Sequence, residues 1–529
     1  MWVAVALVGI ITFLIYYLTR PPKDFWGKYG VRQVNDTTFN DKISILLGRK
    51  TVMDIDELTY KSLASTQEKF CGLVEMQGQT VLLRDLDMVK RVMIKDFEYF
   101  TDKRLAVSSE NQPIIRKFLI NLQGEEWKNV RSSLSPTFTT TKIKHMMEYF
   151  NKISNEWVDH LKTKIKNSSE DSIVINVGEE ARHFTVDIIS SSAFGMESQA
   201  ISNPDSVFRT MTDRLSSLHF LQILKYLLMM FSPWIVNFFG IKVMDDTALT
   251  FFENILSQGM KSRMSGETKR NDFLQLIAEV RKGELKAHAS DELSTFEKDA
   301  KLKDDEKATK RKDVLKDDLI AYAQLLQFFF AGFSTVSNTL SFALYAMALN
   351  PDVQEKLRKE VDSKLFKDGN DKELDYDELN ALVYMDMFVC ELLRKLPPVG
   401  RIERICVKEY HEPESGLKVP RGSYAFAPIQ AIHNDPQYYE HPEKFYPEHF
   451  TPEKKAERKQ YAYMPFGIGP RSCIGMRFAL VVSKAAIAQL VRFFIIEPTP
   501  KTPVPMQIKP IGIAIQAPDN LELKLRLRK

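Results

Sequence analysis

The residues with the clearest chemical potential lie in a glycine-rich loop, 466–475, which contains Cys473 and precedes an apolar, helix-like segment, 476–490. Its three glycines let the backbone adopt positive φ and approach a flat ligand. Backbone N–H groups of the loop and of the helix N-terminus favour the anionic form of the sulfur. The loop therefore predicts a thiolate metal ligand at Cys473, and the alternative is a free cysteine buried as a small hydrophobe.

The spacing Phe-x-x-Gly-x-Arg-x-Cys-x-Gly resembles the haem-thiolate loop of the cytochromes P450 at every defined position. The resemblance implies a P450 fold, mainly α with small β-sheets, that binds haem b through the axial thiolate of Cys473. In this family the cysteine ligand donates electron density that favours O–O cleavage. It also implies that Phe466 shields the sulfur and that Arg471 binds a haem propionate.

Further cations fit the same resemblance. Trp127 and Arg131 are four residues apart, on one face of a predicted helix, and taken alone they would be a surface cation beside an aromatic ring. The P450 resemblance implies instead that they hold a propionate, with Arg404 as a third propionate ligand. Lys103 and Arg104 occupy the loop from which related proteins also direct a cation at haem.

A long apolar segment precedes these motifs. It starts at the capping pair Asp317 and Asp318 and runs to Asn350, about 33 residues and therefore about 50 Å as a helix. Polar residues such as Gln324 and Gln327 interrupt it too often for a membrane span. We predict the central buried helix of the fold.

Within this helix, the sequence 331–335 resembles the P450 oxygen-binding motif. The resemblance implies that Ala331 and Gly332 leave room for O₂ as co-substrate. It implies that the Thr335 hydroxyl bends the helix and donates a hydrogen bond to bound oxygen. Ser334 stands where the family usually has an acid, which weakens the expected proton relay; taken alone, the segment would be a glycine packing contact.

Glu391 and Arg394 lie three apart among apolar residues, so we expect a buried ion pair rather than a solvated one. The pair resembles the structural Glu-x-x-Arg of P450s that supports the cysteine loop. The family's third member is an arginine, whereas this chain has His449. A histidine still donates a hydrogen bond, without the fixed fork and permanent charge of arginine.

The N-terminal residues predict a membrane attachment. Residues 2–18 are almost continuously apolar, near the lower limit for spanning a bilayer, and no cleavage site follows them, which favours an anchor over a signal peptide. Cations just after the span favour a cytosolic body on the endoplasmic reticulum. We predict an anchor at 1–20, a proline-containing hinge at 21–29 and a catalytic domain at 30–529.

Composition excludes other classes. The 529 residues include 73 basic and 69 acidic ones, which is too balanced for a nucleic-acid binder. Four scattered cysteines without a CxxC pair indicate neither a disulfide framework nor a zinc site.

Two segments stand out by composition. Residues 281–316 predict a solvated linker. The aromatic-rich stretch 215–241 is either core or the membrane-dipping roof of an access channel.

The resemblance is strongest to microsomal P450s of the insect detoxification and vertebrate drug-metabolising types. It implies a monooxygenase for lipophilic xenobiotics or endogenous lipophiles. No flavin or nicotinamide fingerprint is present, so NADPH electrons must arrive through a separate P450 reductase, with cytochrome b5 as a second electron donor. The alternatives are a haem-containing lipophile carrier or sensor, and a reductase-independent isomerase or dehydratase.

Overall fold

The computed structural model describes nine stretches of the chain and isolated residues between 222 and 229; the stretches are 24–34, 39–46, 49–75, 78–104, 110–216, 233–284, 314–366, 373–511 and 514–528. The predicted anchor and most of the predicted linker lie outside these ranges. The described part of the predicted hinge packs on the body, because the buried Trp26 donates its indole N–H to the Leu73 carbonyl at 2.9 Å.

Helices dominate the described chain. They are α1 (Phe39–Leu46), α2 (Val52–Thr66), α3 (Leu86–Lys90), α4 (Pro113–Arg116), α5 (Gly124–Leu134), α6 (Thr140–Lys144), α7 (Met147–Lys166), α8 (Val177–Ile189), α9 (Val207–Ser216), α10 (Pro233–Phe238), α11 (Asp246–Ser265), α12 (Phe273–Lys282), α13 (Asp318–Leu349), α14 (Pro351–Leu365), α15 (Tyr376–Asn380), α16 (Val383–Lys395), α17 (Ile429–His433), α18 (Pro452–Glu457) and α19 (Met476–Phe493). Several begin at side chains that accept a first-turn N–H, such as Thr51, Asp245 and Asp317. Each such cap stabilises its helix by about 1 kcal/mol.

The strands are short and form small sheets at the edges of the helical body. They are β1 (Phe70–Glu75), β2 (Gly78–Leu83), β3 (Ser172–Asn176), β4 (Ile402–Ile405), β5 (Tyr410–His411), β6 (Lys418–Val419), β7 (Tyr424–Ala427), β8 (Phe494–Pro498), β9 (Lys509–Ile511), β10 (Ala514–Gln516) and β11 (Glu522–Leu527). The largest sheet has the order β1-β2-β7-β4, with β2 parallel to β7 and the other pairs antiparallel. A second sheet has the order β3-β11-β8.

Helix α13 is the centre of the fold. It runs without interruption for 32 residues, and Asp317 caps it as predicted by accepting N–H bonds from Leu319 and Ile320. Among the described residues it is the one helix long and apolar enough to cross a membrane. However, 20 of its residues are buried and it packs against α8, α11, α16 and α19. It is a core helix, and the predicted mainly-α class with small sheets is confirmed.

Candidate active site

The cysteine loop is a closed turn between the end of α18 and the start of α19. The Cys473 N–H donates to the Phe466 carbonyl at 2.9 Å, and the Gly467 N–H donates to the Met464 carbonyl at 3.0 Å. Gly467 and Gly469 have φ of 71° and 72°, where glycine carries no steric cost. A Cβ at Gly469 would lie 2.2 Å from the Met93 carbonyl oxygen, so the loop can approach that segment only with glycine there.

The Cys473 side chain is accessible although protein surrounds it, and the residues just before it, Arg471 and Ser472, are buried. The sulfur is therefore accessible to a ligand even though its neighbours in the loop are buried. Burial raises the pKa of the Cys473 thiol, while the Gly475 N–H and the positive charges of Arg131 and Lys103 act in the opposite direction. These groups all favour the thiolate that a metal ion would require.

Four cations converge near this sulfur. Arg131, Arg404 and Arg471 act electrostatically on Lys103, and the pKa values of Lys103, Arg404 and Arg471 are lowered. Burial and then the charges of Arg404 and Arg471 lower the pKa of Lys103 to about 7. Burial and then Arg404 lower that of Arg471 to about 9. A buried group of like charges of this kind stabilises an anionic partner.

Arg404 and Arg471 are held in place by backbone carbonyls. Arg404 projects from β4 and donates to the carbonyls of Glu403 (2.8 Å) and Ile468 (3.3 Å). Its buried Nε has no hydrogen-bond partner among the described residues. Arg471 donates to the carbonyls of Thr101 and Leu122, each at 2.8 Å. The Arg404 Nε is the kind of orphaned donor that a carboxylate ligand would satisfy.

Trp127 and Arg131 lie on α5 as predicted, and Trp127 is buried. The Arg471 guanidinium lies 3.9 Å from the centre of the Trp127 ring, a cation–π contact that orients the arginine. The two cations predicted in the 103–104 loop diverge. Lys103 joins the cluster, whereas Arg104 pairs with Glu75 at 3.3 Å and with Glu403 at 3.2 Å.

The predicted oxygen-binding segment lies in the middle of α13. Ala331 is exposed although Phe329 and Phe333, two positions away on either side, are buried, so Ala331 also faces an internal space. The Thr335 hydroxyl donates to the Ala331 carbonyl at 2.7 Å, the bond to the preceding turn that the predicted bend requires. No break in the helix accompanies it. This hydrogen is therefore committed, and the Thr335 oxygen is left as an acceptor.

The Glu391–Arg394 pair on α16 is completely buried, at 0% exposure for both side chains. Arg394 grips Glu391 with its Nε and one terminal nitrogen, each at 2.7 Å. The same guanidinium donates to the carbonyls of His433, Pro442 and Lys444. The pair thus ties α16 to the segment that leads to the cysteine loop.

His449 occupies the predicted third position of this network. Its Nδ1 lies 3.2 Å from a Glu391 oxygen and its Nε2 lies close to the Glu440 carbonyl oxygen. Both partners are acceptors, so only an imidazolium, with a proton on each nitrogen, donates to both. His449 therefore reaches two acceptors on opposite sides of its ring, as the third member of the network with Glu391 and Arg394.

Sequence reasoning missed two sets of polar residues around the site. The first set is Gln324 and Gln327, which interrupt the apolar helix α13. Their side-chain oxygens accept the N–H groups of Leu119 (3.1 Å) and Ile120 (3.2 Å). They fasten the 117–120 segment, beside Arg471's carbonyl partners, to α13. Paired polar residues within an otherwise apolar helix were the available signal. The second set consists of one residue, His433, which is buried on α17.

The cytochrome P450 family model matches residues 46–525 of this chain. The chain belongs to the cytochrome P450 family. It is 32% identical to cytochrome P450 9e2 of Blattella germanica, over 100% of this chain and 98% of the relative. It is 31% identical to the probable cytochrome P450 6a14 of Drosophila melanogaster, over 98% of this chain and 99% of that protein. The predicted resemblance to insect P450s is confirmed.

Membership makes this P450 a monooxygenase and implies a haem cofactor, a redox partner and a small-molecule substrate in general terms. The residues present fit that cofactor. An accessible cysteine supplies the ligand, and the cation cluster with its orphaned Arg404 donor suits two propionates.

Proposed function

We propose that this P450 is a haem-thiolate monooxygenase in which Cys473 would hold the iron of haem b and Thr335 would contribute a hydroxyl at the oxygen-binding segment of α13. The observation that carries the proposal is the convergence of Lys103, Arg131 and two further arginines around Cys473. When bound, haem would activate O₂ with two electrons and two protons, so that one oxygen atom enters the substrate and the other leaves as water. Phe466, which packs at the edge of the core, shields the sulfur.

The protein's own contribution is to position charge and protons. Arg404 and Arg471, with Arg131 and the Trp127 contact, hold the propionates. On α13, the small residues Ala331 and Gly332 leave space for O₂. The Thr335 hydroxyl donates its hydrogen bond to the Ala331 carbonyl, so its oxygen, Oγ1, can accept a hydrogen bond. Ser334 carries a hydroxyl rather than a carboxylate, so it passes a proton only through water.

Electrons come from NADPH through a separate reductase, with cytochrome b5 as a second donor. We assign Lys128 and Lys144 to the docking face for an acidic partner. Each lysine already has a carboxylate of its own: Lys128 pairs with Glu125 at 2.7 Å and Lys144 with Asp377 at 2.7 Å. Exposed pairs of this kind contribute little and exchange partners readily. A docking face of paired lysines therefore gives salt-sensitive, transient association.

Membrane attachment supplies the substrates. We place the protein on the endoplasmic reticulum by the N-terminal anchor, with its body in the cytosol. Trp234, Phe238 and Phe239 are 67%, 78% and 69% exposed on and just after α10, which supports the roof interpretation over the core one for these residues. An aromatic group so exposed favours contact with lipid, through which lipophilic xenobiotics or endogenous lipophiles arrive.

The test replaces Cys473 with His in the membrane-bound enzyme. We expect haem to be partly retained while the red-shifted band of the reduced, CO-bound thiolate form and product formation disappear together. An unchanged spectrum would refute Cys473 as the ligand. Substrate-dependent NADPH consumption with added reductase separates this function from a carrier or sensor and from a reductase-independent isomerase or dehydratase.

A further inference from the structure

His433 lies at the end of α17, between the Glu391–Arg394 pair and the segment that enters the cysteine loop, and its side chain is 0% exposed. His433 has no role in the proposed monooxygenase chemistry. A histidine with no access to water must satisfy both ring nitrogens with protein groups, or it costs free energy. Its partners therefore indicate what it holds in place.

Both nitrogens are engaged, and in opposite roles. Nε2 accepts the Met464 N–H at 3.0 Å, and Nδ1 lies 3.3 Å from the Arg394 carbonyl oxygen, to which it must donate. The Arg394 guanidinium returns a bond to the His433 carbonyl at 2.7 Å. One neutral tautomer alone satisfies this arrangement. Burial and the Arg394 charge lower the pKa of His433 to about 3, which keeps that tautomer at neutral pH.

The Met464 contact leads directly to the thiolate loop. The carbonyl of Met464 accepts the Gly467 N–H at 3.0 Å, and the carbonyl of Phe466 accepts the Cys473 N–H at 2.9 Å. The Tyr463 ring stacks on the imidazole, with 5.5 Å between ring centres and 22° between planes. The imidazole thus fixes two consecutive residues, one by stacking and one by a hydrogen bond, at the point where the loop begins.

We propose that His433 is a positioning residue that sets the Cys473 loop relative to the Glu391–Arg394 pair and so keeps the sulfur in place as the haem ligand. The inference rests on the proposed function. A flat, rigid ring suits this role because it joins the two partners without a flexible stem. Without the Nε2 acceptor, the Met464 N–H is a buried donor with no partner, and moving the loop toward water is its route to one.

The test compares three variants of the full-length, membrane-bound holoenzyme. His433→Gln keeps an acceptor for the Met464 N–H. His433→Phe keeps the ring that stacks on Tyr463 and loses both hydrogen bonds. His183→Phe is the matched control, because His183 is also buried and its pKa is also lowered to about 3, but it lies on α8. The readouts are amide exchange at Met464 and Gly467, and the fraction of reduced, CO-bound haem in the thiolate form at equal haem content.

We expect His433→Phe to speed exchange at Met464 and Gly467 at least tenfold and to halve the thiolate fraction, while His433→Gln and His183→Phe stay within twofold of the wild type. Wild-type behaviour of His433→Phe would overturn the inference. Equal losses in His433→Phe and His433→Gln would also overturn it, since the acceptor would then be irrelevant. A wild-type enzyme without the thiolate band would instead sink the proposed function, and exchange at Met464 would still report on the hydrogen bond.

Discussion

Replacing Glu391 with Gln removes one charge from an ion pair whose two side chains are 0% exposed, and it changes almost no volume. The carboxylate accepts four hydrogen bonds: two from Arg394 at 2.7 Å, one from the Tyr446 N–H at 2.8 Å and one from His449 at 3.2 Å. Burial would raise the pKa of Glu391, but its hydrogen bonds to Arg394 and His449 keep it below the usual range. The carboxylate is therefore fully charged at neutral pH.

The amide leaves Arg394 as a buried cation without a counterion. Breaking a buried pair costs about 3–5 kcal/mol, a large part of the roughly 5–15 kcal/mol that stabilises a typical domain. Replacing both partners with apolar residues is not neutral here, because Arg394 also satisfies the carbonyls of His433, Pro442 and Lys444. Each orphaned carbonyl adds about 1–3 kcal/mol to the cost.

The assay follows urea-induced unfolding of the solubilised holoenzyme at pH 7, by tryptophan fluorescence and by the haem Soret band. The control is Glu412→Gln, since Glu412 is also buried but pairs at 3.4 Å with an Arg91 that is partly exposed. We expect the control to lose about 1 kcal/mol. A loss below about 1 kcal/mol for Glu391→Gln would refute the claim that Arg394 depends on this charge.

Three further outcomes are expected. Ser334→Asp raises product formed per NADPH and Thr335→Ala lowers it, with peroxide and product measured in one reaction; unchanged coupling in Ser334→Asp means that another group delivers protons. Gly469→Ala lowers haem content at least severalfold, since its Cβ would meet the Met93 carbonyl at 2.2 Å; normal haem binding contradicts this steric account. The pKa of His433 is lowered to about 3 in the folded protein, so the free energy of unfolding falls as pH drops below about 6.5, by up to about 1.4 kcal/mol per pH unit. We expect His433→Gln to flatten this slope in unfolding measured from pH 6.5 to 5.

Much of the fold could be predicted because local patterns decide it. The cap at Asp317, the apolar run behind it and the burial of Glu391 with Arg394 follow from spacing and composition. The contacts that could not be predicted depend on which distant backbone groups meet. Nothing local distinguishes Lys103, which faces the cation cluster, from Arg104, which faces two acids.

Polar side chains that hydrogen-bond to backbone groups far away in sequence are, in general, the contacts that a sequence pattern cannot predict. Gln324 accepts an N–H more than 200 residues away in sequence, and His433 accepts one 31 residues away. A sequence pattern reveals that such residues are polar in an apolar setting, but not which donor they meet. His449 is intermediate, because its place was predicted whereas its two acceptors required the structure.

The cation cluster around Cys473 has a consequence for how the enzyme matures in the cell. Lys103, Arg404 and Arg471 repel one another in a buried space, so the polypeptide alone pays electrostatic energy to close this region. A dianionic cofactor removes that repulsion and binds the folded chain far better than the unfolded one, so it drives folding by mass action. On the proposed function, haem supply during synthesis would therefore set the yield of folded enzyme, and chains made under haem limitation would become substrates for proteolysis rather than a stored reserve.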